Sequence, residues 1–404
     1  MRRRSLVLLL LLLPTLATAQ TPTPADTIRP DSALVTADPG LLSPDTVLAD
    51  SLRPAPHLPD FPEPDSAAFW SGTWSWDRED LLRFQGTSLL ELLVSVPGLG
   101  MVRAGGFGQP AGLSPFALGG GRTRLFVDGW EMDPLNSAVF DLQKLSLVDI
   151  ESLRVERRLH ELRIRVTTFR LADSRPFSQV DAATGDPETR YLRGLYSQRI
   201  GGRSILTLGF DLTDTDGFFS GESFGVTTGI ARWGFLIDPR AGIQVELRQA
   251  EVERATRFVD RGRRRDLLVR GRWNPTDALS LAAVAGRVTR APEERDRFEA
   301  AEVSQLGLRS FLRLPAGVWM EGDLRLRSVS AAAFPAARSD LSLAAGVRPT
   351  ALLELRGEAR AASVAGEQGG EFLGGARFGP VRGISFFGSM TLGGRAVGIL
   401  RADT

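Results

Sequence analysis

The sequence predicts a mainly β protein in which a small α+β domain precedes antiparallel strands that cross a membrane as a barrel. Three observations support this fold class. The N-terminus has the form of an export signal, the chain has 43 glycines and no cysteine, and most segments after residue 158 alternate between an apolar and a charged face. Together they indicate an exported, turn-rich β protein without disulfides.

Residues 1–19 have the three regions of a cleavable secretory signal. Three arginines precede an apolar run, and the small residues Ala17, Thr18 and Ala19 supply a cleavage site. The apolar run holds about ten residues, whereas a helix needs about 20 to cross ~30 Å of hydrocarbon. We therefore expect cleavage before Gln20 rather than a membrane anchor.

Residues 20–68 are crowded with Pro, Thr, Asp, Ser and Ala and show neither the helical nor the strand period. This composition predicts a disordered periplasmic linker. Order is expected to begin near Phe69, where three tryptophans follow within a few residues.

The first predicted element of the segment 69–157 is a short helix over residues 88–96, which we expect to pack on the strand 124–127. Ser88 and Glu91 have the spacing of a capping box, in which the serine side chain accepts from the N–H three residues later and the glutamate reaches back. Pro97 and Gly98 end the helix, because proline lacks a donor and glycine adopts the left-handed cap.

Two strands are predicted after this helix. Residues 122–127 form the first, and Asp128-Gly129 follows it as a tight turn. The segment 148–156 alternates at period 2 and then slips at Leu153, so a helix remains open for its first half.

Residues 158–404 predict a series of strands with one apolar and one charged face. Such alternation fits a soluble antiparallel sheet or a barrel with lipid outside and water inside. The candidate strands are about 9 to 13 residues long, which suits a tilted membrane strand and exceeds the 5 to 6 of globular sheets. We therefore predict a barrel. In its clearest strand Val318, Met320, Leu324 and Leu326 face lipid, and Glu321, Asp323, Arg325 and Arg327 face the lumen.

Enzyme chemistry is not indicated by the sequence. The chain has two histidines, His57 in the linker and His160 at the predicted domain boundary, which leaves little material for a catalytic triad or a metal site. The 49 basic and 48 acidic residues almost cancel, so no nucleic-acid partner is expected. Arg261, Arg263, Arg264 and Arg265 are interpreted as a solvated turn, with an anion contact as the alternative. We expect no enzyme, no cofactor and no metal.

Residues 77–156 resemble the plug domain of the TonB-dependent outer-membrane receptors. The matching pieces are Leu89-Leu90-Glu91-Leu92-Leu93 with Val96-Pro97-Gly98-Leu99, then Leu125-Phe126-Val127-Asp128-Gly129, and last Val148-Asp149-Ile150-Glu151-Ser152-Leu153-Arg154-Val155-Glu156. The motif residues carried over are Pro97, Gly98, Asp128, Gly129, Ile150, Glu151, Val155 and Glu156. The family's arginine before the aspartate-glycine turn and its glycine-proline turn after the last strand are both missing here.

The resemblance implies a receptor in the cell outer membrane, in contact with its lipid, that takes up an unidentified scarce ligand. A periplasmic energy-transducing protein of the TonB type would pair with an extended linker segment by strand addition. Asp45, Thr46, Val47 and Leu48 are the best candidates for that contact, with residues 26–28 second. The alternative is a structural or passive outer-membrane protein that keeps a plug-like domain without energised transport.

The strand count predicts an incomplete barrel. Residues 158–404 hold about 12 to 14 candidate strands, whereas plugged transporters have about 22. About 14 strands would close around a lumen of roughly 18 Å, while a domain of about 80 residues is ~30 Å across. We therefore expect a partial, open barrel or a chain that is cut short.

Overall fold

The computed structural model describes residues 54–62, 72–84, 88–103, 110–115, 123–135, 140–157, 161–185, 189–216, 223–255, 260–292, 300–330, 337–364, 367–381 and 384–393. The predicted signal peptide, most of the linker, Asp45–Leu48 and His160 lie outside these residues. Within them, no helix is long and apolar enough to span a membrane.

A small domain precedes a large sheet. Its described elements are β1 (Thr73–Trp76), α1 (Arg78–Arg83), α2 (Leu89–Val94), β2 (Leu99–Arg103), β3 (Ala111–Pro115), β4 (Thr123–Val127), β5 (Trp130–Glu131), a 3-10 helix (Leu142–Lys144), β6 (Ile150–Arg157) and β7 (Leu162–Thr168). Five strands form one sheet in the order β1-β6-β7-β4-β5, with β4 and β7 parallel. Strands β2 and β3 pair as a separate hairpin.

Both helices begin at a side-chain cap. The Ser88 hydroxyl accepts from the Glu91 N–H at 3.4 Å, as predicted, but α2 ends at Val94 and is shorter than expected. Gly98 then has φ +84°, the left-handed conformation predicted for it. Helix α1 has a complete capping box between Asp77 and Asp80, which the sequence analysis missed.

The turn between β4 and β5 is the predicted tight turn. Asp128 has φ +48° and Gly129 has φ +85°, the two positive values that a type I′ turn requires. The later strand β6 begins at Ile150, and its pairing with β7 is irregular between Ile150 and Ser152. Val148 and Asp149 form a turn before it, so the helix alternative for that half was wrong.

Strand β7 lies in the sheet of the small domain, between β6 and β4. The sequence analysis had placed it in the barrel, which was predicted to begin at residue 158. Alternation at period 2 identifies a strand and its buried face but not the sheet it joins. The large sheet instead begins at residue 177.

The large sheet contains thirteen strands within the described residues, which agrees with the predicted 12 to 14. They are β8 (Phe177–Gly185), β9 (Thr189–Ile200), β10 (Ser204–Thr215), β11 (Ser223–Asp238), β12 (Ala241–Ala255), β13 (Asp260–Trp273), β14 (Leu279–Pro292), β15 (Ala301–Arg313), β16 (Val318–Ser330), β17 (Arg338–Thr350), β18 (Leu353–Val364), β19 (Glu367–Val381) and β20 (Ile384–Gly393). Each pairs antiparallel with its sequence neighbour. In the described part of the chain β8 and β20 are edges, so the sheet is open there.

The two rims of the large sheet differ in the length of their connections. At one rim, the short-turn rim, the links are 2 to 5 residues long, for example 239–240 and 274–278. At the other, the long-loop rim, three of the six links are 7 or 8 residues long, namely 216–222, 293–300 and 331–337, and the other three have 2 to 4 residues. Outer-membrane barrels place short turns in the periplasm and long loops outside.

The large sheet is apolar on its outer face and charged on its inner face. In β12, Leu247 is 47% exposed, whereas its neighbours Glu246 and Arg248 are 0% and 5% exposed. In β16, Met320 and Leu326 are exposed as well. A soluble protein instead buries its apolar side chains and exposes its charged ones. Of the directions predicted for β16, those of Met320 and Leu326 toward the outer face and of Arg325 and Arg327 toward the small domain are confirmed.

The hydrophobic core of the small domain continues into the large sheet. Trp130 is buried in one cluster with Leu268, Val288 and Val303 of the sheet. A Cβ on Gly286 would lie 3.1 Å from the Trp130 ring and 2.5 Å from a Leu268 methyl group. The glycine therefore allows the indole to approach the inner face of the sheet.

Candidate functional site

The interface between the small domain and the inner face of the large sheet is rich in ion pairs. Five carboxylates of the small domain meet arginines of the sheet. The pairs are Asp149 with Arg232 at 2.6 Å and Arg248 at 3.0 Å, Asp141 with Arg254 at 2.5 Å, Asp133 with Arg327 at 2.9 Å, Glu131 with Arg325 at 3.9 Å and Glu161 with Arg360 at 3.5 Å. The inner face of the large sheet therefore contacts the small domain through several different strands.

Asp149 is at the centre of the most buried of these clusters. Its Oδ2 atom accepts from Arg232 and Arg248, and Glu246 binds the same two guanidiniums at 2.9 and 3.3 Å. Arg270 adds a third guanidinium 2.9 Å from Glu246. The side chains are at most 6% exposed, so the charges interact in a medium of low dielectric constant.

Asp128 of the predicted turn fixes the end of β7. Its carboxylate accepts from the Thr168 N–H at 3.1 Å and from the Thr168 hydroxyl at 2.5 Å. Burial opposes ionisation, yet the guanidiniums of Arg270 and Arg232 hold the pKa of this carboxyl below its ordinary value. Asp128 is therefore a charged residue that links the turn to the central cluster.

Glu131 and Asp133 continue the interface toward β16. Burial would raise the pKa of Glu131, but the two-pronged bond from Arg124, with distances of 2.6 and 2.5 Å, lowers it to about 2. For Asp133 burial prevails and raises the pKa, although Arg327 and the Leu135 N–H both bind the carboxylate. The Asp133 carbonyl also accepts from Arg264 of β13 at 2.6 Å.

The other predicted motif residues build the small domain itself. Ile150 and Val155 are buried in its core, and Pro97 and Gly98 follow α2. Glu156 is buried beside Arg165 at 3.5 Å and Arg154 at 3.7 Å. Burial raises the pKa of Glu151 in the same strand. We propose that these residues stabilise the domain and do not bind a ligand.

Sequence reasoning predicted that Arg325 and Arg327 face the interior, but it did not single out the other residues of the interface. Asp149 lies inside the matched segment 148–156, and the arginines of the sheet occupy the charged positions of alternating strands. That alternation was the available signal, but it does not state which arginine meets which carboxylate. Within the described residues, no group of three or more His, Cys, Asp or Glu is arranged to hold a metal ion.

This chain is similar to known proteins in structure but not in sequence. No protein-family model and no curated protein match this chain in sequence. The siderophore receptor PirA from Acinetobacter baumannii matches with a TM-score of 0.61 at 9% identity, over 76% of this chain and 60% of that one. A ferric enterobactin receptor (PfeA) mutant from Pseudomonas aeruginosa gives 0.67 at 11% identity, over 81% and 62%. The FrpB iron transporter from Neisseria meningitidis gives 0.65 at 10%, over 79% and 64%.

The chain has the fold of the TonB-dependent receptors. The predicted fold class, a plug-like domain followed by antiparallel barrel strands, is therefore confirmed. The chain spans less than two thirds of the length of the three TonB-dependent proteins compared. These neighbours are named as receptors and transporters rather than as enzymes.

Proposed function

We propose that this chain is an outer-membrane receptor that takes up a scarce ligand with energy supplied by a periplasmic partner. The observation that carries the proposal is the small domain held by ion pairs against the charged inner face of an inside-out sheet. A domain in that position blocks the interior. Buried ion pairs contribute little net stability but fix one arrangement of the charged groups. Such an interface suits a plug that must be held in place and later moved.

The outer face of the sheet supports a location in the outer membrane. Leu267, Leu343 and Phe378 are about half exposed there, on strands of 13 to 15 residues. An apolar outer band with a charged interior is the pattern of membrane strands. Contact with outer-membrane lipid follows from this proposal.

The ligand is proposed to enter from the long-loop rim. The similar structures are named as a siderophore receptor, a ferric enterobactin receptor and an iron transporter. We propose an iron complex of the siderophore type as the first class of ligand to test. Its contacts would lie on the long-loop side of the small domain.

The end of the linker supports a periplasmic tether. The Asp60 carbonyl accepts from Asn274 at the short-turn rim, and Leu58 packs near Gly242 at the same rim. Short turns lie in the periplasm in membrane barrels, so the linker would approach from the periplasm. Asp45, Thr46, Val47 and Leu48, a short distance before this point in sequence, remain our candidate contact for the TonB-type partner.

A binding assay between the linker and a periplasmic energy-transducing domain separates an energised receptor from a passive protein. A peptide of residues 20–68 is expected to bind that domain, and Val47→Pro is expected to weaken binding at least about tenfold, because proline cannot donate to an added strand. The matched change Ile28→Pro, in the second candidate segment, should leave binding intact. Absence of binding by the unaltered peptide would favour the passive alternative.

A further inference from the structure

A cavity of about 780 Å³ lies between the small domain and the large sheet. One wall is the polar face of the small sheet, with Thr73, Ser75 and Ser152, and the opposite wall comes from β13, β15 and β16. Asp60 and Phe61 of the segment 54–62 form its floor near the short-turn rim. The cavity is within the usual size of a site for a small molecule.

The cavity wall carries more positive than negative charge. Seven arginines and four aspartates line it. Three of the arginines, Arg272, Arg309 and Arg325, come from the large sheet, and four come from the small domain. Six of the seven arginines pair with carboxylates in or just behind the wall, among them Glu156, Glu161, Glu321 and Asp323. The positive charge that remains to attract a small anion is that of Arg272.

Of the seven arginines that line the cavity, Arg272 is the one least compensated by the protein. It donates to the neutral carbonyl of Pro59 at 3.2 Å, and no carboxylate among the described residues forms an ion pair with it. Among its charged neighbours, Arg170, Arg270 and Arg309 repel it, and Asp128 attracts it. An oxyanion bound beside Arg272 would relieve this repulsion.

Aromatic rings hold two of the other guanidiniums in place. Arg325 lies over the Phe126 ring at 4.5 Å, and Arg309 lies over the Phe61 ring at 4.5 Å. A guanidinium stacked on a ring keeps its N–H groups in the ring-parallel plane, where they donate to carboxylate or phosphate oxygens. Asp60, 2.7 Å from Arg170, already places one carboxylate at the floor.

We propose that this cavity binds a small polyanion whose charge is carried by carboxylate or phosphate groups, with Arg272 as its principal anchor. Asp60 competes with that anion for the guanidiniums of the floor. The periplasmic position of the cavity rests on the orientation proposed above, whereas its anion binding does not depend on energised uptake.

Calorimetric titration of the full chain in detergent at low ionic strength tests this proposal. Tricarballylate, a tricarboxylate, and pyrophosphate are the two probes, and the uncharged triamide of tricarballylic acid is the control ligand. At least one anion is expected to bind with one site per chain, and the triamide is not. Binding of only one anion identifies the oxyanion class that the cavity takes.

Three variants assign the binding to the cavity. Arg272→Gln is expected to weaken it about tenfold or more, the effect of losing one charge-assisted hydrogen bond. Asp60→Asn, on an exposed side chain, should strengthen it about threefold by removing a competing charge, roughly the size of an exposed ion-pair effect. Arg287→Gln, a matched charge change on an exposed side chain of β14, should leave it unchanged.

The proposal is overturned if neither anion binds, or if Arg272→Gln and Arg287→Gln weaken binding equally, since the attraction would then be diffuse. If the Arg272→Gln variant does not fold, Asp60→Asn provides a second test of the proposal. Equal or weaker affinity in Asp60→Asn contradicts the proposal.

Discussion

Replacement of Leu92 by Asp is expected to unfold the small domain. Leu92 is 4% exposed in α2 and belongs to the core cluster that also contains Leu125 and Val127 of β4. An unpaired charge at such a position costs several kcal/mol, and a whole domain is stable by only about 5 to 15 kcal/mol. Limited proteolysis of the folded full chain should therefore cut within residues 72–169 much faster in the variant.

Val94→Asp is the matched control, because it places the same charge on the same helix at a side chain that is 38% exposed. It should keep the protease resistance of the unaltered chain. Unchanged resistance of Leu92→Asp would contradict the assignment of α2 to a folded core. The sequence analysis expected α2 to pack on residues 124–127, whereas its main neighbours are β2, β3 and the 3-10 helix.

Asp149→Asn is expected to loosen the small domain from the large sheet with little change in side-chain shape. The substitution removes the carboxylate that Arg232 and Arg248 share, and it leaves Glu246 to balance three buried guanidiniums. Removing one partner of a buried pair costs about 3 to 5 kcal/mol, because the remaining charge stays desolvated. Urea-dependent proteolysis of the small domain measures this loss.

Two further variants separate this effect from a general loss of charge. Asp277→Asn breaks the pair with Arg240 at an exposed turn and should change little. Combining Asp149→Asn with Arg248→Gln should recover part of the stability, because one uncompensated guanidinium is removed. If Asp149→Asn is as stable as Asp277→Asn, the central cluster does not hold the domain.

The parts of the fold that sequence predicted are those set by local chemistry. Ser88 begins α2 and Gly98 follows it, and Asp128-Gly129 makes the β4–β5 turn, because caps and tight turns depend on a few adjacent residues. The direction of side chains in β16 was also predicted, since period 2 fixes it.

The parts that sequence missed depend on contacts between distant segments. Strand β7 alternates like a barrel strand but pairs with β4 and β6. The residues Arg261, Arg263, Arg264 and Arg265 were interpreted as a turn, yet they lie within β13, where Arg264 reaches Asp133 of the small domain. The ion pair of Arg264 with Asp266 at 2.8 Å is local to β13. Its contact with the Asp133 carbonyl spans 131 positions in sequence, so no local pattern indicates that the arginine meets the small domain.

Cysteine labelling of β16 in intact membranes is the most direct test of the central claim, which is an inside-out sheet that holds a plug against its inner face. The chain has no cysteine, so single replacements at Met320, Leu324, Leu326, Glu321 and Arg325 report on one site each. A water-soluble maleimide is expected to modify positions 321 and 325, which face the charged interior, and to spare positions 320, 324 and 326, which face lipid. Urea-unfolded samples should react at all five positions. Equal modification of the two sets in the membrane would contradict the account.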